Sequence, residues 1–267
     1  MKAKLPILII IPHGGRTVPD ELAGHEQIDE FGIFIESDAF ANDLFNFEDA
    51  AAKFGTHISR LFIDTDRPSS MLPPQFPDGV IKKESPGGRK IFKEKIFPDD
   101  IAIYNILKRY YSPFHYSIQN ALKTGNIKLI IECRTMMPVG PRHAKDAGRP
   151  RPLIDIENII KGDIRSMRTC PVETAENFLS SFKKYFGSED CTVSEKFSIN
   201  NPQSNGYILE TYGQGKIPML RLSISTSLYL NDGYFNYDTL TVDKLRIREV
   251  RDRTWAGIEK FALKYLK

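Results

Sequence analysis

The sequence predicts one α/β domain of three layers (αβα), in which a mixed, largely parallel central sheet lies between two layers of helices. Short apolar runs alternate with longer amphipathic segments along most of the chain, which is typical of helices packed on both faces of a sheet. The runs at residues 5–11 and 127–131 are almost continuously apolar, as in parallel strands buried on both faces. A chain of 267 residues is long enough for one such domain, which we place at residues 1–267.

The composition argues against several classes of function. Hydrophobic residues make up 41% of the chain and charged residues 27%, as in ordinary globular proteins. The formal net charge of +3 is too small to indicate binding to nucleic acid or to a membrane surface, and no apolar run is long enough to indicate a membrane span. Three cysteines, an odd number without paired spacing, favour a reducing compartment, so we expect a cytoplasmic protein.

The first third of the chain is predicted as strand, helix, strand and a long loop. The run at 5–11 forms the first strand, and apolar residues at helical spacing predict a helix over 36–54 that ends at Gly55. Residues 56–64 alternate and then run apolar, which predicts a second strand. Residues 68–98 are rich in proline and show no periodicity, so we expect a functional loop or lid there.

The remaining two thirds are predicted to alternate between helices and strands. A helix over 99–123 should be interrupted at Pro113, because proline removes a helical hydrogen bond and clashes with the preceding turn. Residues 138–152 form an irregular, basic stretch. The other predicted elements are a strand at 127–131, a helix at 171–186, strands near 191–198, 206–212 and 217–224, and an amphipathic helix from about 241.

Polar clusters follow the predicted strands. His13 follows the first strand, Asp64 and Asp66 end the second, and Glu132 and Arg134 follow the third. The carboxyl ends of parallel strands meet at one edge of a sheet, where ligands bind in open α/β folds. The imidazole of His13 can ligate a metal, act as acid or base, or hydrogen-bond its own loop, and its position alone leaves these interpretations open.

Three arginines, Arg60, Arg67 and Arg134, are predicted near the same edge of the sheet. Guanidinium groups bind carboxylates and phosphates bidentately, so these residues suit a small anionic ligand. The alternative is a structural ion network with the neighbouring carboxylates, and the sequence favours neither interpretation. No phosphate-binding loop or dinucleotide fingerprint is present.

Several short motifs occur in an order that points to a protein family. They are Ile11-Pro12-His13-Gly14-Gly15, Ser37-Asp38, Ser59-Arg60, Asp64-Thr65-Asp66-Arg67-Pro68, Tyr110 to His115, Asn201-Pro202 to Ile208 and Leu228-Tyr229-Leu230. Together they resemble the N-formylglutamate amidohydrolase family, whose fold is similar to that of the zinc carboxypeptidases. The resemblance implies a deep pocket at the carboxyl edge of the sheet, in which metal-activated water hydrolyses a small N-acyl amino acid.

The resemblance implies metal ligands at the start of the chain. His13 is similar to a metal ligand of the family and Asp38 to its acidic ligand, and Glu36 is a second candidate carboxylate. Carboxylates early in a predicted helix are also explained by the helix N-terminus, which attracts negative charge, and for Glu36 this explanation is at least as good. Zinc is therefore the cofactor that the resemblance implies.

The resemblance also implies residues that bind the substrate. Arg60 and Arg67 correspond to pocket residues that hold a substrate carboxylate, and Arg134 is a further candidate. Asn201 and Gly206 correspond to a loop that shapes the pocket.

The chain departs from the family pattern at positions that matter for chemistry. The third strand of the family ends in an acidic residue, one more residue and His-Ser, and Arg134 stands at the position of that metal-binding histidine. The late strand of the family reads Gln-Leu-Glu, and here Ser223 replaces the glutamate suited to general-base work. Arginine has no acceptor lone pair, so it cannot ligate a cation. A smaller change is Asp66, where the family has asparagine.

Two hypotheses about function follow. In the first, the protein hydrolyses the amide bond of a small N-acyl, or N-formyl, amino acid with a metal that requires a substitute ligand such as Glu132 or His143. In the second, it is a catalytically degenerate, metal-free member that binds a small anion through its arginines. The catalytic residues stay unassigned, with Glu132, Arg134 and Ser223 as pocket candidates.

Overall fold

The central sheet contains six strands in the part of the chain that the structure describes. The structure is a computed structural model, and it describes residues 4–161, 166–189, 195–202 and 205–266. The strands are β1 Leu5–Ile11, β2 Ala50–Gly55, β3 Leu129–Met136, β4 Ile154–Glu157, β5 Ile159–Lys161, β6 Ser166–Arg168, β7 Phe197–Ile199, β8 Met219–Ser225, β9 Phe235–Asn236 and β10 Thr241–Val242. The sheet order is β2-β1-β3-β8-β4-β7, while β5 with β6 and β9 with β10 form small separate pairs.

The pairing of the central strands is mixed but mostly parallel, as predicted. Strands β2, β1, β3 and β8 are all parallel to one another, β4 is antiparallel to β8, and β7 is parallel to β4. The carboxyl ends of four strands therefore meet at one edge.

Helices cover both faces of this sheet. The helices within the described ranges are α1 Glu30–Ile35, α2 Ala41–Leu44, α3 Asp100–Ile106, α4 Ser112–Thr124, α5 Val172–Phe186, α6 Tyr207–Tyr212 and α7 Lys244–Tyr265. Helices α2, α5 and α7 share a core with one face, and α4 and α6 share a core with the other. This arrangement confirms the predicted αβα architecture. No helix within the described ranges is both long and apolar enough to span a membrane.

The two faces of the sheet differ in polarity. The face under α5 and α7 is apolar along its length, with Ile131, Cys133, Leu222 and Ile224 all buried. The opposite face begins with apolar residues such as Ile130, but it becomes polar toward the carboxyl ends of β3 and β8. The candidate site lies at that polar end.

The region after β1 is the main correction to the predicted elements. The helix predicted over 36–54 is wrong, because only Ala41–Leu44 is helical and Ala50–Gly55 forms β2 at the edge of the sheet. The strand predicted at 56–64 is instead irregular and contacts the chain near Gly15 through isolated bridges. Pairing of β2 with the buried strand β1 satisfies its backbone groups, and that gain outweighs a weak helical pattern.

The second half shows smaller differences. A π-helical stretch over Leu107–Tyr111 ends two residues before Pro113, so the predicted interruption is confirmed. The third strand extends to Met136, which places Glu132 and Arg134 inside it. The strand predicted at 206–212 is wrong, since Tyr207–Tyr212 is helical, and β4 was not predicted. The start of the strand predicted near 191–198 lies outside the described residues.

Candidate functional site

Two rows of polar side chains cross the polar end of the sheet. The backbone register places the members of each row opposite one another on neighbouring strands, so their side chains share one face. The inner row consists of Glu132 on β3, Arg221 on β8 and Glu157 on β4. The outer row, closer to the carboxyl edge, consists of Arg134 on β3, Ser223 on β8, Asp155 on β4 and Ser198 on β7.

The inner row is a chain of ion pairs. Arg221 is 2% exposed, and its Nη2 lies 3.1 Å from Glu132 Oε2 while its Nη1 lies 3.6 Å from Glu157 Oε2. Burial raises the pKa of Glu132, but Arg221 and Arg134 outweigh it, and the net pKa lies below the ordinary range. Glu132 is therefore ionised and held by two guanidinium groups.

Arg134 stands at the centre of the site. Its Nε donates to Glu132 Oε1 at 2.7 Å, its Nη2 donates to Asp66 Oδ2, and its Nη1 lies against Nδ1 of His13. Burial lowers the pKa of Arg134, but Glu132 and Asp66 outweigh it and raise the net pKa. Arg134 is thus a permanent cation that joins β3 to the loops carrying His13 and Asp66.

The contacts of His13 fix its protonation. The side chain is buried, and burial together with Arg134 lowers its pKa well below the ordinary value, so the ring is neutral. Nε2 lies 2.7 Å from Asp64 Oδ1. Because a guanidinium only donates, Nδ1 of the neutral ring accepts from Arg134, and the ring proton is on Nε2 facing Asp64.

Asp64 connects this histidine to two cations. Lys82 Nζ donates to Asp64 Oδ2 at 3.0 Å, and Arg60 Nη2 donates to the same oxygen at 3.3 Å. Burial raises the pKa of Asp64, but Lys82 and its other neighbours outweigh it and hold the pKa well below the usual range. Sequence reasoning missed Lys82, because nothing in the aperiodic loop at 68–98 distinguishes this fully buried lysine from its exposed neighbours.

The two candidate carboxylate ligands lie apart. Asp38 is buried, and its Oδ2 accepts from the backbone N–H of Thr135 at 3.2 Å, while burial raises its pKa. The backbone N–H of Asp38 donates to the carbonyl of His13, so the two residues are neighbours through their main chains. Glu36 instead accepts from the backbone of Gly87 in the long loop, on the rim of the region.

The candidate substrate-binding arginines differ in how many of their N–H groups donate hydrogen bonds within the protein. Arg67 is committed to Asp78, with Nη2 at 2.5 Å from Oδ2 and Nε at 2.9 Å from the carbonyl oxygen. Among the described residues, Arg60 makes only the 3.3 Å contact with Asp64, and its buried Nε has no hydrogen-bond partner. Arg60 is therefore the arginine of this group with spare donor capacity.

The loop before α6 closes the site from the other side. The backbone N–H of Asn201 donates to Asp155 Oδ1 at 3.0 Å. At Gly206, a Cβ atom would lie 2.3 Å from Arg221 Nη2 and from Asp66 Oδ2, so a side chain at this position would displace these two buried groups. Both residues thus contact site groups, Asn201 through its backbone.

Sequence reasoning also missed Asp155 and Glu157. Both are buried polar residues on β4, at 1% and 2% exposure, and they alternate with the apolar Ile154 and Ile156. That alternation in a short segment was the available signal for a strand with one polar face.

The residues present do not fit a catalytic zinc ion. Such a site needs three protein ligands with free lone pairs and an open position for water. Nδ1 of His13 and the facing oxygens of Glu132 and Asp66 are all engaged by the guanidinium of Arg134. Among the described residues no cluster of three or more His, Cys, Asp or Glu is arranged to hold a metal ion.

Comparison with solved structures shows what the fold resembles. An N-formylglutamate amidohydrolase from Ralstonia eutropha JMP134 is 15% identical, with a TM-score of 0.73, and the match covers 97% of this chain and 94% of that one. A gene product of Agrobacterium tumefaciens is 14% identical, with a TM-score of 0.58 and coverage of 97% and 92%. These identities show a shared fold. No curated protein matches the chain.

The family itself is shown by a sequence model of N-formylglutamate amidohydrolase, which matches residues 5–230. This range contains both polar rows, His13 and the loop before α6. It confirms the resemblance that the ordered motifs predicted. The chain therefore belongs to the N-formylglutamate amidohydrolase family.

Proposed function

We propose that this protein is a family member in which the guanidinium of Arg134 takes the place of a metal ion, and that it binds a small anionic molecule such as an N-acyl amino acid. One observation carries the proposal: His13, Glu132 and Asp66 converge on Arg134. Arginine supplies one permanent positive charge and five donors, but no Lewis acid and no bound water. The resulting site suits binding better than metal-assisted hydrolysis.

Arg60 is the proposed anchor for the anion. Its buried Nε lacks a hydrogen-bond partner within the described ranges, and a ligand carboxylate would satisfy it in a charge-assisted hydrogen bond. Arg67 and Arg134 are the other arginines predicted to contact the ligand, although their present partners are carboxylates. The free, buried thiols of Cys133 and Cys170 support the proposed cytoplasmic location.

Family membership favours hydrolysis of an N-acyl amino acid as a second candidate. That reaction needs a water activated by a metal or a base, and Ser223 supplies neither by itself. It also requires Arg134 to leave Nδ1 of His13. The hydrolytic function therefore stays a prediction with a specific structural requirement.

Metal analysis and ligand binding test the proposal together. We expect purified wild-type protein to retain no stoichiometric zinc after exposure to zinc and desalting, and N-formyl-L-glutamate to raise its melting temperature. Arg60→Ala should abolish the shift, whereas Arg109→Ala, at a surface ion pair with Glu21, should preserve it. Hydrolysis of N-formyl-L-glutamate that a chelator abolishes would overturn the proposal in favour of the metal-dependent reaction.

A further inference from the structure

Asp155 has one oxygen that the fold uses and one that it does not. The residue is 1% exposed. Its Oδ1 accepts from the hydroxyl of Ser198 at 2.5 Å and from the backbone N–H of Asn201 at 3.0 Å. Its Oδ2 is buried and has no hydrogen-bond partner in the part of the chain that the structure describes. Two bonds to Oδ1 already account for a structural role, so the unused Oδ2 calls for a separate explanation.

The strand register places this carboxyl beside the candidate site. Asp155 lies opposite Ser223, and Ser223 lies opposite Arg134 on the next strand. Two strand spacings separate Asp155 from Arg134, which is roughly 10 Å between backbones. A small amino acid derivative can span that distance, with the hydroxyl of Ser223 between its two ends.

The charge balance of the region limits what can bind there. Among the described residues, the two rows and the adjoining loops bring together more buried carboxyl groups than cations. The carboxyl groups belong to Asp38, Asp64, Asp66, Glu132, Asp155 and Glu157, and the cations to Arg60, Lys82, Arg134 and Arg221. With every group ionised the cluster would carry an excess of negative charge, which repels an anion. Binding of an anion is therefore favoured when one of these carboxyl groups holds a proton.

We propose that Asp155, with Ser223 beside it, is a second binding position for the anion, and that the ligand binds together with one proton held on Asp155 Oδ2. The inference rests on the proposed function and identifies Asp155 as the group that makes ligand binding depend on pH. The proton comes from solvent, no covalent bond changes, and protonated Oδ2 donates a hydrogen bond to an oxygen of the ligand. Ionised Oδ2 can only repel that oxygen.

The surroundings of Asp155 suit such a proton. Burial raises its pKa to about 7, the bonds from Ser198 and Asn201 lower it, Glu157 on the same strand raises it, and Arg221 on β8 lowers it. A group with this pKa exchanges its proton near neutrality. Burial also raises the pKa of Asp38 and Asp66, so a substitution at Asp155 is needed to assign the proton.

Calorimetric titration of N-formyl-L-glutamate into the full-length protein tests this inference. Measurements at pH 6, 7 and 8, in two buffers of different protonation enthalpy, report both the Kd and the protons taken up. For wild type we expect uptake of up to one proton at pH 8 and a Kd that rises by up to tenfold per pH unit above pH 7.

The variants separate a binding role from a structural one. Asp155→Asn keeps an acceptor for Ser198 and Asn201 and places a permanent donor at the position of Oδ2. This variant should therefore bind N-formyl-L-glutamate without this proton uptake and with little dependence on pH. Asp155→Ala should weaken binding at least tenfold at pH 6, and Ser223→Ala should weaken it several-fold. The control Asp238→Asn, at an exposed residue, should behave as wild type.

The remaining outcomes show which of the proposals is wrong. If Asp155→Asn retains the proton uptake and pH dependence of wild type, or Asp155→Ala binds normally, the inference about Asp155 is overturned while anion binding stands. If Arg60→Ala binds as wild type does, the proposed anchor is wrong even where the Asp155 variants behave as expected. If wild type does not bind the probe even at pH 6, the proposed function and this inference both fail.

Discussion

The inner and outer rows lie side by side on the same face of the sheet, yet they differ in how their carboxyl groups are paired with cations. In the inner row, Arg221 lies between Glu132 and Glu157 and contacts both. In the outer row, Ser223 separates Arg134 from Asp155, and one buried oxygen of Asp155 has no hydrogen-bond partner among the residues that the structure describes. In the inner row each carboxylate lies within ion-pair distance of Arg221, which stabilises the fold, whereas no ion pair to Asp155 is found among the described residues, so its carboxyl group retains capacity for a ligand.

The largest expected effect comes from removing the cation that joins the two rows. Arg134→Met removes the guanidinium that donates to both Glu132 and Asp66, and breaking buried pairs in this way costs roughly 3–5 kcal/mol of unfolding free energy. Urea denaturation at pH 7 measures it. The control Arg109→Met removes an exposed pair and should leave the midpoint unchanged. A loss below about 1 kcal/mol for Arg134→Met would mean that Arg134 is not the centre of the network.

The outer row should respond to pH through Asp155. Its pKa of about 7 in the folded state exceeds the ordinary value near 3.9, so between about pH 4 and 7 the folded state binds the extra proton and stability falls as pH rises. Above pH 7, ionised Asp155 costs up to about 4 kcal/mol, and Asp155→Asn should recover part of this at pH 8. Denaturation curves at pH 5 and 8 measure the difference, and equal stability of variant and wild type at pH 8 would contradict it.

In the inner row, substitutions of Arg221 and Glu157 should have coupled effects on stability. Arg221→Gln leaves two buried carboxylates facing a neutral group, while Glu157→Gln removes one of them. The double variant should therefore be less destabilised than the sum of the single variants, by roughly 1–3 kcal/mol. Purely additive losses in urea denaturation would show that Arg221 and Glu157 do not interact, and the contrast between the rows would disappear.

The sequence reveals the fold and part of the site because some signals are local. The buried run at 5–11 and the turn after it place His13 at the carboxyl edge without knowledge of any partner. The partners themselves depend on register between distant strands. Asp155 meets Ser223 only because β4 pairs antiparallel with β8, and four residues are too few for a periodicity to predict that pairing.

Local patterns also mislead where tertiary contacts decide the structure. Residues 50–55 fit the end of a helical pattern, but pairing with β1 makes them the edge strand β2. Tyr207–Tyr212 fits a strand, but Asp66 accepts from the backbone N–H of Ile208 and stabilises the first turn of α6. The same contact ties the loop before α6 to the site.

The smallest expected effect concerns His13, whose contribution to stability changes with pH in the direction opposite to that of Asp155. Its pKa in the folded state lies well below the ordinary 6.5, so below pH 6.5 the unfolded chain binds a proton that the folded state does not, and stability falls as pH falls. His13→Gln should remove up to about 1.4 kcal/mol per pH unit of this acid slope between pH 6.5 and 5.5. The exposed His143→Gln is the control and should retain the slope. If His13→Gln also retains the acid slope, the buried imidazole is already protonated near pH 6 and its Nδ1 does not accept from Arg134. The proposal that the guanidinium takes the place of a metal ion would then have to be abandoned.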